Sequence, residues 1–74
     1  MILQKAIAIR ISNLLIKNNL TRYALCKKIG MSEQTLKHII DERNSDIKLS
    51  TIDAIADGFN LSLSEFFDDD VFKR

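Results

Sequence analysis

The chain has 74 residues, 46% of them apolar, with no Trp, no Pro, two Gly and one Cys. A single cysteine excludes an internal disulfide and a cysteine-based zinc site, and no apolar run approaches the roughly 20 residues of a membrane span. The net charge of +1 is unevenly placed: residues 1–44 hold eight Lys/Arg against three Asp/Glu, and residues 45–74 hold three against seven, so the two parts carry +5 and −4.

This length fits one small domain, 1–74, which buries only about 60% of its unfolded surface and needs an efficient core. Scarce Gly, absent Pro and the lack of alternating β-branched runs or Asn-Gly turns predict an all-α chain. The start, MILQKAIAIRIS, lacks the pattern of a signal peptide. Cys26 is expected to be a small buried residue, and a lone thiol fits a reducing cytoplasm.

The first predicted helix spans about 2–18. At about 100° per residue, Leu3, Ile7, Ile11, Leu14 and Leu15 share its core face. Ile2, Ile9 and Ile16 recur on the opposite side, as scattered surface isoleucines or as a second contact surface. Asn18-Asn19 ends this helix and Leu20 plugs the connection. The second helix, 22–29, is capped by Thr21 and buries Leu25 and Ile29. Gly30 supplies a turn in which positive φ costs little. Ser32 caps the third helix, 33–41, which turns Leu36, Ile39 and Ile40 inward. Two helices joined this tightly form a helix-turn-helix unit, whose second helix enters the major groove of DNA.

A polar loop follows over 42–48. The fourth helix, 50–58, is read with Ser50 as its cap and Asp53 in its first turn, with Ile52, Ile55 and Ala56 buried and Gly58 as its end. Ser62 and Glu65 form a capping box that opens a fifth helix, 63–68, with Leu63, Phe66 and Phe67 as its apolar residues. Residues 69–74 are expected to form a frayed tail.

Two blocks carry a family resemblance. One is Thr21-x-x-x-Leu25-x-x-x-Ile29-Gly30-Met31-Ser32-x-x-Thr35-Leu36-x-x-Ile39. The other runs from Leu49-Ser50-Thr51-Ile52 through Ile55-Ala56-Asp57-Gly58-Phe59-Asn60-Leu61 to Ser62-Leu63-Ser64-Glu65-Phe66-Phe67. Over about residues 7–68 the chain resembles the Cro and phage-repressor type of helix-turn-helix regulators, also called xenobiotic-response-element regulators. The resemblance implies a compact five-helix, lambda-repressor-like domain, with the helix-turn-helix formed by helices 2 and 3. It also implies binding to a double-stranded DNA operator, a homodimer on a near-palindromic site, and a prokaryotic, phage or plasmid origin.

The chain departs from the family pattern in four places. Arg22 stands where many members have a phosphate-binding Gln. Leu15 and Ile40 together replace an Arg–Glu ion pair, an exchange that is often neutral or stabilising when both partners change. Glu42 replaces a common Gly after the third helix. The Pro common before the fourth helix is missing, and the loop Arg43-Asn44-Ser45-Asp46-Ile47-Lys48 is slightly long.

With Leu36, Ile39 and Ile40 inward, Glu33, Gln34, Lys37 and His38 point outward, and the resemblance places them at or beside base edges. Gln suits adenine, Lys suits guanine or a phosphate, and Glu suits the cytosine amino group. Against this, Glu33 at a helix start also favours the dipole, Lys37 also serves as a phosphate anchor, and His38 also reads as a solvated surface residue. Phosphate contacts are expected from Thr21, Arg22, Tyr23, Ser32, Thr35, Arg43 and Asn44, assisted by helix N–H groups. Lys27 and Lys28 read as solvated surface. Phe66, Phe67, Val71 and Phe72, with Ile2, Ile9 and Ile16, are the candidate dimer or partner contacts.

The reading is a sequence-specific transcriptional regulator, a small stand-alone repressor, without cofactor, metal or membrane partner. The alternative is a protein-binding subunit of the same fold, antitoxin-like or an anti-repressor. No nucleophile–base arrangement or phosphate loop argues for an enzyme.

Overall fold

The computed structural model describes residues 3–41 and 47–73. Among them are five α-helices: α1 Leu3–Lys17, α2 Arg22–Ile29, α3 Glu33–Ile40, α4 Leu49–Gly58 and α5 Leu63–Phe67. A 3₁₀-helix, η1 Asp70–Phe72, follows, and there is no strand among the described residues. The chain is all-helical, as its composition requires.

α1 packs against α3 and η1, and α2 packs against both α3 and α4. The side chains of Ile11, Leu25, Leu36, Ile39, Ile55 and Phe66 are the large groups with essentially no exposure at the centre of this arrangement. α1 buries a wider arc than its apolar stripe alone predicts, because Ala6 and Ala8 are also covered. Leu3 departs in the other direction: it was expected on the core face but is 55% exposed. It sits on the first described turn of α1, at the mouth of a groove that also involves Ile7, Ile47, Leu49, Ile52 and Phe67. Leu15 is buried and Ile40 packs half-buried against the same core, so the third helix is held there by apolar packing.

α1 ends through Asn19, which takes φ 54° so that the Leu20 N–H can reach the Leu15 carbonyl at 2.9 Å. Asparagine is among the few residues that visit this left-handed region routinely. The same device closes α4: Asn60 has φ 61°, and the Leu61 N–H donates to the Ala56 carbonyl at 2.9 Å.

Gly58 is the last residue of α4, as expected, but it is buried and does not take the left-handed conformation of a capping glycine. Its role is close approach. A Cβ there would lie 2.7 Å from Ile29 Cγ2 and 2.8 Å from Leu25 Cδ1. The start of α4 also differs from expectation. Lys48, with no side-chain cap bond, is the N-cap residue, and Ser50 lies one residue inside the helix. The Lys48 carbonyl accepts from Thr51 and Ile52 at 3.0 and 3.2 Å, so the helix starts at Leu49, one residue before the serine that would have capped it.

The capping box of α5 forms as predicted. Ser62 Oγ accepts from the Glu65 N–H at 3.2 Å, and Glu65 Oε1 accepts from the Ser62 N–H at 2.9 Å. The frayed tail is replaced by structure. Asp69 Oδ1 accepts from the Val71 N–H at 3.0 Å and starts η1. Phe72 folds back to lie 5.0 Å from Phe67, edge to face, and 6.2 Å from Phe66. Arg10, on α1, secures this end: it donates to the carbonyls of Phe66 (2.8 Å) and Glu65 (3.0 Å) and to Asp69 Oδ2 (3.1 Å).

Candidate nucleic-acid interface

The helix-turn-helix is built from short-range bonds. Thr21 Oγ1 accepts from the Ala24 N–H at 3.0 Å and starts α2. Gly30, at φ 72°, ends α2, and both its N–H and that of Met31 reach the Cys26 carbonyl. The Cys26 thiol lies 3.7 Å from the Ser32 carbonyl, to which it donates. Burial pushes this thiol up from its ordinary pKa, and the Glu33 carboxylate adds to the shift. It therefore stays a neutral packing group at the turn. Ser32 Oγ accepts from the Thr35 N–H at 3.1 Å and bonds the Thr35 hydroxyl at 2.7 Å, which starts α3.

α3 separates its two faces cleanly. Leu36 and Ile39 are buried and Ile40 is half-buried, while Glu33, Gln34 and Lys37 are exposed. His38, expected to point out fully, is half-buried. Thr21, Arg22 and Tyr23 are exposed at the start of α2, and Ser32 and Thr35 are exposed at the start of α3. The Ser32–Thr35 hydroxyl bond engages both residues in the cap, which leaves each with reduced capacity toward another group. Arg43 and Asn44 lie outside the described residues.

Among the candidate dimer or partner contacts, Phe66 is corrected. It has no exposed surface in the monomer and belongs to the core. Phe67, Val71 and Phe72 are half-buried beside it. Ile9 and Ile16 are 39% and 79% exposed on α1, and Ile2 lies outside the described residues.

The residue that sequence reasoning missed is Arg10. It was counted with the basic part of the chain, yet its side chain is only 11% exposed and faces α5 and η1. Its partners lie 55 to 59 residues away, so no local spacing signals the role. The surface cations of the helix-turn-helix are instead Arg22, Lys27, Lys28 and Lys37, all exposed.

Among the described residues no helix is long and apolar enough to cross a membrane, and no group of His, Cys, Asp and Glu is placed to hold a metal ion. A family model for the Cro/C1-type HTH DNA-binding domain matches residues 10–70. No curated protein and no solved structure matches the chain.

Proposed function

This chain belongs to the Cro/C1-type helix-turn-helix DNA-binding family, and we propose that it is a sequence-specific transcriptional repressor that occupies its operator as a homodimer. The observation that carries the proposal is α3: its apolar side is fixed in the core while Glu33, Gln34 and Lys37 stand free on the other. A polar helix face held this firmly can enter the major groove without rearrangement.

In that pose Gln34 pairs with an adenine, Lys37 reaches guanine or a phosphate, and Glu33 accepts from a cytosine amino group. His38, set lower, lines the edge of the contact. Thr21, Arg22, Tyr23, Ser32 and Thr35 position the unit on the backbone, with the N–H groups at the starts of α2 and α3.

One recognition helix reads few base pairs, so useful specificity calls for two copies with half-sites about 10–10.5 base pairs apart, near 34 Å. The longest extent of the protomer, 33 Å, is compatible with adjacent copies at that spacing. Repression by occupancy needs nothing further than this, and the resemblance to the family supports a prokaryotic, phage or plasmid origin and a cytoplasmic location.

Selection of bound fragments from random duplex DNA tests the reading. Enrichment of a near-palindromic site with half-sites one helical turn apart is expected. Recovery of unenriched DNA contradicts it.

A second reading, a protein-binding subunit that meets its partner through α1, is favoured by the exposure of Ile9 and Ile16. Light scattering with and without duplex DNA separates the two. A salt-insensitive monomer that ignores DNA favours the second.

A further inference from the structure

We propose that Lys27 is a DNA-phosphate anchor and that the ring of Tyr23 is the positioning group that aims it. The inference rests on the DNA-binding reading above and extends it to two residues on one face of α2.

Tyr23 and Lys27 are four residues apart, so they are neighbours on the helix surface. The Lys27 ammonium lies 5.9 Å from the centroid of the Tyr23 ring, within the range of a cation–π contact. Tyr23 is 58% exposed and Lys27 is exposed, so the pair covers no core and its geometry is not a by-product of packing.

Direction is the important consequence. Helical side chains lean toward the N-terminus of their helix. Held against Tyr23, the Lys27 ammonium is drawn back about one turn toward the start of α2. That end already presents Arg22 and the N–H groups of the first turn. Thr21 satisfies two of these, from Ala24 through its hydroxyl and from Leu25 through its carbonyl, which leaves the N–H groups of Arg22 and Tyr23 at the open end. α2 carries no acidic residue. The contact therefore draws the Lys27 ammonium toward the end of α2 that carries the helix dipole and the open N–H groups, where a cation suits a backbone phosphate. Lys28, the next residue, is rotated by about 100° from Lys27 and has no such aromatic partner among the ring contacts of the described residues.

Fluorescence anisotropy with a labelled 20-base-pair duplex of arbitrary sequence, read over a range of salt concentrations, tests the pair without knowledge of the operator. Loss of one phosphate contact flattens the slope of log K against log salt by about 0.9 per protomer. Lys27→Gln is expected to show that flattening, with Lys28→Gln as a control that leaves the slope unchanged. Tyr23→Leu should weaken binding in the wild-type background and have little further effect in Lys27→Gln, the non-additivity expected of a coupled pair. Tyr23→Phe keeps the ring and should preserve the coupling, which separates the ring from any contact made by the phenol hydroxyl.

An unchanged slope for Lys27→Gln, with normal salt-dependent binding by the wild type, overturns the anchor and leaves DNA binding intact. Additive effects of Tyr23→Leu and Lys27→Gln overturn the positioning role. Wild-type protein that fails to bind the duplex at any salt concentration overturns this proposal together with the reading on which it rests. Circular dichroism of each variant shows whether α2 is still folded.

Discussion

At the scale of single residues, the division of labour on α3 follows from where each side chain can go. Gln34 is exposed on the side of α3 away from the buried Leu36, two residues on, and its amide has the donor and acceptor that an adenine edge requires. Gln34→Ala should lower the affinity for a selected operator by about 1–3 kcal/mol while leaving affinity for random duplex nearly unchanged. Equal losses on both, measured by titration, count against Gln34 as a base reader. A second residue-scale prediction concerns Glu65. The Ser62 backbone N–H, and then its hydroxyl, hold this carboxyl below its ordinary range. Because the folded pKa is depressed, the stabilisation is present above the unfolded value of about 4.3. It is lost as pH falls through the lower folded value. Glu65→Gln should reduce the pH dependence of unfolding between neutral and acid conditions, measured by urea melts across that range. A slope unchanged by the substitution refutes the assignment.

At the scale of elements, local chemistry was readable where it alone decides the outcome. Thr21, Gly30, Ser32 and the Ser62–Glu65 box each act within four residues, and the helices they bound lie where the sequence places them. Ser50 shows the limit. A cap contributes about 1 kcal/mol, and backbone bonds to the Lys48 carbonyl start the helix earlier without it. Gly58 shows a second limit: it ends the helix as read, but it also lets two side chains of α2 approach the backbone of α4, a long-range fact that no local pattern carries. Gly58→Ala should gain about 0.8–1 kcal/mol of helix propensity and lose about 1–3 kcal/mol to overpacking. A net destabilisation of about 1 kcal/mol is therefore expected in chemical denaturation. A stabilised variant shows that Leu25 and Ile29 yield at little cost.

At the scale of the whole molecule, the basic and acidic parts of the sequence are joined through Arg10. Arg10 leaves the basic side and joins the acidic end, where it binds Asp69 and the last carbonyls of α5. Long-range pairing of this kind is invisible in composition, and it converts the apparent tail into part of the folded body. Asp69→Ala removes both the start of η1 and the partner of Arg10, so a loss of about 2 kcal/mol is expected, with increased backbone exchange over residues 70–73 by NMR. Unaltered stability and exchange contradict a tethered C-terminal end. The same body holds α3 by apolar packing, through Leu36, Ile39 and Ile40 on one side and Leu15 within the shared core, and presents its polar face outward. The central claim is that this face reads DNA sequence. The measurement that tests it most directly is the ratio of wild-type affinities for a selected operator and its scrambled duplex at physiological salt. A preference of at least about 10³-fold is expected of a specific regulator; equal affinity for the two duplexes contradicts it.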